Sequence, residues 1–278
     1  MYSCAALVLL VAAFTLTGCG DRSVHAPSEP TRTLRDIPAD ETRRLQAARI
    51  FFGHQSVGAD IMAGVEDLVK STPQLQLRVV QLQGPSLPAG PFFAHEKIGE
   101  NGKPSLKTDV FATLMEDGFN KNLDIALHKY CFVDIEASTD VGRLFAHYKE
   151  TLARLRAESP NVRFVHVTTP LTVVQSGWRA TVKRMLGREP DHYGDNITRQ
   201  RYNELMRHEY AGREPLFDLA RIESTRPDGS RETISWGDQS AFALVPDYAS
   251  NGAHLNPVGR RYVAEQLLVF LADVASGR

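Results

Sequence analysis

Two kinds of apolar pattern take turns along the chain: short runs rich in β-branched and aromatic residues, and longer stretches whose apolar positions fall three or four apart. The first run, Arg49-Ile50-Phe51-Phe52, stops at Gly53, and after His54, Gln55 and Ser56 the residues Ile61, Met62, Val65, Leu68 and Val69 recur at helical spacing. This predicts a strand, a tight turn and an amphipathic helix with Ser56 at its start. Residues 75–82 alternate apolar and polar and predict a half-exposed strand, while residues 84–104, rich in Gly and Pro, read as a long loop that packs Phe92, Phe93 and His95. A helix over 108–115, a strand over 124–133, a helix over 144–157 and a β-branched strand over 162–168 follow. Residues 175–193 are polar and basic with no clear element. A helix over 198–210, a short strand near Leu216-Phe217, and a closing helix over 258–274 with Asn256 as N-cap and Pro257 at its first position complete the pattern. Strands alternating with helices predict an α/β fold whose parallel sheet is covered on both faces, with ligands at the carboxyl ends of the strands. Ser56, Cys131 and the residues after Thr168 would stand on that rim.

Composition narrows the partners. With 278 residues, 42% hydrophobic and 23% charged, and a formal net charge of −1, the chain can bury one large core and lacks the basic excess of a nucleic-acid-binding protein. No nucleic-acid partner is expected. Residues 5–14 form an apolar core too short to span a bilayer and predict a secretory signal over 1–18, although no Lys or Arg precedes it. Leu16-Thr17-Gly18-Cys19 resembles the bacterial lipobox, so Cys19 is the expected lipidation site, with a plain signal peptide as the alternative. The reading is a lipoprotein on the periplasmic face of a bacterial membrane. Residues 19–44, polar with Pro27, Pro30 and Pro38, predict a tether, and 45–278 the folded domain. Cys131 is then the one remaining cysteine of the domain, and no internal disulfide is expected.

A serine directly after the first strand, together with Asn251-Gly252-Ala253-His254 just before the last helix, resembles the SGNH or GDSL hydrolase superfamily from residue 49 onward. The resemblance implies a flavodoxin-like three-layer sandwich, with Ser56 as nucleophile, His254 as base, and Asn251 at the position where the family has the triad acid. It also implies a glycine N–H and a side-chain amide as oxyanion donors, for which Gly99 and Asn101 are the candidates. Their alternative is an Asn-Gly turn. Gly53-His54-Gln55-Ser56 stands in place of Gly-Asp-Ser, and Lys129 and Cys131 stand where the family has Gly-x-Asn-Asp. Without the family, the commoner reading of Ser56 is a plain N-cap.

The implied chemistry is cofactor-free hydrolysis of an acyl ester, such as an acetyl group on a carbohydrate, or transfer of that acyl group to a polysaccharide hydroxyl. A neutral Asn251 cannot offset an imidazolium charge, which together with the missing Gly-x-Asn-Asp motivates a third reading, a catalytically weak binding protein; Asp247 would substitute only if its loop folds back. His54, His95, His128 and His254 show no metal-ligand spacing, and no metal is expected.

Overall fold

The apolar runs become a single parallel sheet. A computed structural model of the chain describes residues 32–236 and 238–278, within the second of two units, Thr31–Arg278. Its sheet strands are β1 (Arg49–His54), β2 (Val79–Gln81), β3 (Phe92–Lys97), β4 (Ile125–His128), β5 (Arg163–Val167) and β6 (Leu216–Phe217), in the order β2-β3-β1-β4-β5-β6. Every neighbouring pair is parallel. The helices are α1 (Ala39–Ala47), α2 (Ser56–Ser71), α3 (Pro104–Glu116), α4 (Val141–Glu158), α5 (Gly177–Met185), α6 (Tyr193–Tyr210), α7 (Leu219–Glu223) and α8 (Pro257–Ala275). A separate antiparallel hairpin joins β7 (Thr233–Trp236) to β8 (Gln239–Phe242).

The central strands are buried on both faces, which is why their sequences are continuously apolar. Ile50 and Phe52 of β1, Phe93 of β3, Ile125 and Leu127 of β4, and Val165 and Val167 of β5 pack into one core with α1, α2, α7 and α8. The residues between them, Phe51, Ala94, Ala126 and Phe164, pack into the other with α3, α4 and α6. The result is the three-layer α/β sandwich expected from the sequence. From β1 the chain builds first to one side, through β2 and β3, and then crosses through α3 to β4 on the other. The sheet therefore has its topological switch point at β1, and the crevice at the carboxyl ends of β1 and β4 is where such sheets bind ligands.

Two expectations are corrected. The loop expected over 84–104 contains β3, which pairs with β1 from Arg49↔Phe92 to His54↔Lys97; its two buried faces remove the alternation that marks a half-exposed strand. The tether expected over 19–44 is docked from residue 32 onward. Arg32 pairs with Asp273 at 2.7 Å, the Leu34 N–H donates to Glu265 at 3.0 Å, and Leu45 of α1 is fully buried. These anchors all reach α1 or α8, and a local polar sequence does not reveal partners more than 200 residues away. Cys19 and the signal expected over 1–18 lie outside the described residues. Among the described residues no helix is long and apolar enough to cross a membrane.

Candidate active site at the switch point

The end of β1 and the start of α2 are fixed by close packing. A Cβ on Gly58 would lie 2.3 Å from the His54 Cβ, so that position needs glycine, while one on Gly53 would lie 2.4 Å from the tip of the Ile98 side chain, which would have to turn aside. His54 Nδ1 is 2.8 Å from the Gln55 carbonyl oxygen and its Nε2 is 2.9 Å from His95 Nδ1. Since a carbonyl only accepts, Nδ1 of His54 carries the proton and His95 donates to Nε2. Burial lowers the pKa of both rings, that of His54 to about 3. Gln55, the N-cap residue, does not cap with its side chain; its Nε2 instead donates to the carbonyls of Ile98 and Gly99, both at 2.9 Å. The first-turn N–H groups of α2 thus keep their positive potential at the rim. Half-buried Ser56 stands there, with its Oγ 3.6 Å from Sγ of buried Cys131 in the loop after β4.

His254 arrives from the other end of the chain. Its loop is closed by a bridge between Ala249 and Leu255 and by the Ser250 N–H donating to the His254 carbonyl at 2.9 Å. Asn256 caps α8 by accepting from the N–H groups of Val258 and Gly259, both at 2.9 Å. The imidazole Nδ1 lies 2.9 Å from Oδ2 of Asp60, and the same oxygen accepts from the Leu255 N–H at 3.2 Å. A carboxylate at Nδ1 places the ring proton there and leaves Nε2 as the basic lone pair. The Phe132 ring, in the loop after β4, meets His254 edge-on with centroids 5.8 Å apart. Asp60 follows Ser56 by four residues on α2, so the two share a helix face with Cβ atoms about 5–6 Å apart. The imidazole is therefore held at Asp60, one helical turn along α2 from Ser56.

This arrangement corrects the role expected of Asn251. Its side-chain oxygen accepts from the backbone N–H of His254 at 3.0 Å and shapes the loop; the ring nitrogen it was expected to meet belongs to Asp60. Asp247 does not replace it, and its carbonyl oxygen accepts from Asn256 at 2.8 Å. In the sequence Asp60 reads as a solvent-facing residue of an amphipathic helix. The signal that finds it is the four-residue spacing from a serine at the helix start.

The loop carrying Gly99 is drawn to the site by Gln55, and Gly99 has φ +60°, with a Cβ there falling 2.9 Å from Lys107 Cα. Asn101 is exposed, and its side-chain oxygen accepts from Lys107 Nζ at 3.0 Å. Beneath both loops lies a buried charged frame. Lys107 and Asp134 form a fully buried ion pair, and Asp134 also accepts from the N–H groups of Gly102 and Cys131, stapling the loops after β3 and β4 together. Arg199 donates to the carbonyls of Phe132 and Ile135, both at 3.0 Å. Lys129 is fully buried with its Nζ on the Tyr130 carbonyl, and burial lowers its pKa. Burial raises the carboxyl of Glu223 to about 8.

The four histidines do not gather. His54 pairs with His95, His128 contacts Thr108 Oγ1 at 3.2 Å, and His254 pairs with Asp60. Among the described residues no group of three or more His, Cys, Asp or Glu could hold a metal ion.

No family model and no curated protein matches the sequence. Solved structures similar to the chain include a peptidoglycan O-acetylesterase, with a TM-score of 0.45 and 14% identity over 68% of this chain and 48% of that one. The periplasmic domain of a lipopolysaccharide acetyltransferase from Salmonella ser. Paratyphi A gives 0.44 and 10% over 85% and 88%. A lipolytic protein assigned to the G-D-S-L family from Desulfitobacterium hafniense DCB-2 gives 0.41 and 9% over 80% and 99%. At these identities the chemistry of the site is read from its own atoms.

Proposed function

We propose that the protein is a serine ester hydrolase of SGNH type, in which Ser56 attacks an acyl ester, His254 Nε2 takes the serine proton, and Asp60 holds Nδ1. The observation that supports this best is the Asp60–His254 contact at 2.9 Å, one helical turn from Ser56. In the forward step the Oγ–carbonyl bond forms, the proton passes to His254, and Asp60 stabilises the imidazolium. The tetrahedral oxyanion faces the unpaired N–H groups at the start of α2, with the Gly99 loop as the second side of the hole. Collapse returns the proton to the leaving alkoxide and leaves an acyl-serine that water then hydrolyses. A carbohydrate hydroxyl replacing that water would make the same site an acyltransferase. The weak-binding-protein reading rested on a neutral Asn251 and on the missing Gly-x-Asn-Asp, and a carboxylate at Nδ1 removes the first of these motives. The proposal extends to lipidation at Cys19, with the domain held on the periplasmic face of a bacterial membrane.

A serine-directed fluorophosphonate tests it. Wild type should be labelled, Ser56→Ala should not, and Cys131→Ala should keep its label despite the neighbouring sulfur. Folded wild type that stays unlabelled would defeat the enzyme reading. An N-terminal diacylglyceryl cysteine in the mass spectrum of membrane-extracted protein tests the anchor, and an intact Met1 would refute it.

A further inference from the structure

The basic stretch over 175–193, unassigned in the sequence, contains α5, and its apolar residues, with Leu186 in the turn that continues it through an N–H bond to the Val182 carbonyl, face the wrong way for a core helix. Trp178, Val182, Met185 and Leu186 are 72%, 43%, 82% and 66% exposed. At 3.6 residues per turn they fall within an arc of about 100°. Ala180, on the opposite side, is 1% exposed and holds α5 to the body. Residues 177–188 contain Arg179, Lys183, Arg184 and Arg188 and no acid, in a chain whose net charge is −1. Asp191 pairs with Lys183 at 2.6 Å, while Arg179 lies over the Trp178 ring at 5.5 Å. A tryptophan-bearing apolar stripe bordered by arginines is complementary to a bilayer interface with anionic headgroups. The helix is also rooted at the site: the Val173 N–H, just before it, donates to the Gly252 carbonyl in the His254 loop at 2.7 Å.

We propose that α5 is an interfacial helix that inserts Trp178, Met185 and Leu186 into an anionic lipid surface and turns the rim of the site toward it. The inference concerns where that rim faces and holds whether or not Ser56 is a nucleophile.

The test uses the full chain and vesicles of phosphatidylethanolamine and phosphatidylglycerol with brominated acyl chains. Bromine quenches only indole that reaches the acyl region, so the reading is specific to α5 even if another segment anchors the protein. Trp178 and Trp236 are the two tryptophans. Wild-type fluorescence should shift to the blue and be quenched, and Trp178→Phe should lose the quenched component. The same result is expected with Trp236→Phe as the background. Replacing Val182, Met185 and Leu186 together by Ser should weaken α5 insertion by roughly tenfold or more. Arg179→Gln and Arg188→Gln should each weaken it by about fivefold, with the loss reproduced by high salt. Vesicle-bound protein whose Trp178 stays unquenched would overturn the proposal, as would equal quenching on neutral phosphatidylcholine. A blue shift that grows with protein concentration and needs no vesicles would assign the stripe to a second copy of the chain and also overturn it.

Discussion

At the scale of single residues, the site turns on which oxygen faces His254 Nδ1. Asp60 does so at 2.9 Å while Asn251 holds the loop, so kcat should respond strongly to a charge change at the first position and little at the second. Asp60→Asn keeps the size but reverses the preferred tautomer. It should lower kcat toward p-nitrophenyl acetate by a factor on the order of 10⁴, the loss known for the equivalent change in a serine protease. Asn251→Asp should leave kcat within a few-fold of wild type, because no imidazole nitrogen awaits the new carboxylate; a gain of several hundred-fold would show that the acid role lies there after all. Ser56 and His254 are legible in the sequence because each stands at a junction that periodicity marks, one before α2 and one before α8. Asp60 is not legible in this way, since what distinguishes it is a partner 194 residues along the chain.

At the scale of elements, α2 and α8 carry the geometry, one bearing Ser56 and Asp60, the other fixing the His254 loop. They touch at Gly64, where a Cβ would lie 2.3 Å from the Arg260 carbonyl oxygen and 2.9 Å from Ala264 Cβ. Both obstacles are backbone or backbone-proximal and cannot rotate away. Gly64→Ala should therefore push the helices apart, costing about 1–3 kcal/mol in urea unfolding. It should also lower kcat more than KM changes, because it separates Asp60 from His254. Unchanged activity at reduced stability would show that the loop moves with α2. The sequence revealed α2, α4 and α8, long elements with one apolar face. It hid β3, buried on both sides among Pro and Gly, and the β7–β8 hairpin, whose strands are only four residues long. It also hid α5, whose apolar side faces outward.

At the scale of the whole molecule, buried titratable groups set an expected pH profile. His54, His128 and His166 are held neutral by burial, each with its pKa lowered to about 3 from an ordinary 6.5. Their contribution is fully present above 6.5 and is lost as pH falls toward 3. Glu223, raised by burial to about 8 from 4.5, works in the other sense: its contribution is present below 4.5 and is lost as pH rises to 8. Between 4.5 and 6.5, unfolding takes up three protons and releases one, a net of two from these groups. Stability should then fall by on the order of 3 kcal/mol per pH unit on acidification. The urea midpoint should peak near pH 6.5 and decline more gently toward 8. His128→Gln should flatten the acid limb and Glu223→Gln the alkaline one; a profile flat from pH 5 to 8 would refute the assignment.

The span of 194 residues between Asp60 and His254 also has a consequence in time. A growing chain makes Ser56 and Asp60 well before the imidazole and the helix that covers Gly64. If Ser56 is the nucleophile proposed above, it lacks the His254 base until α8 has been made and docks, so acyl chemistry waits for that docking. Competence at this site then reports that α8 has docked on α2.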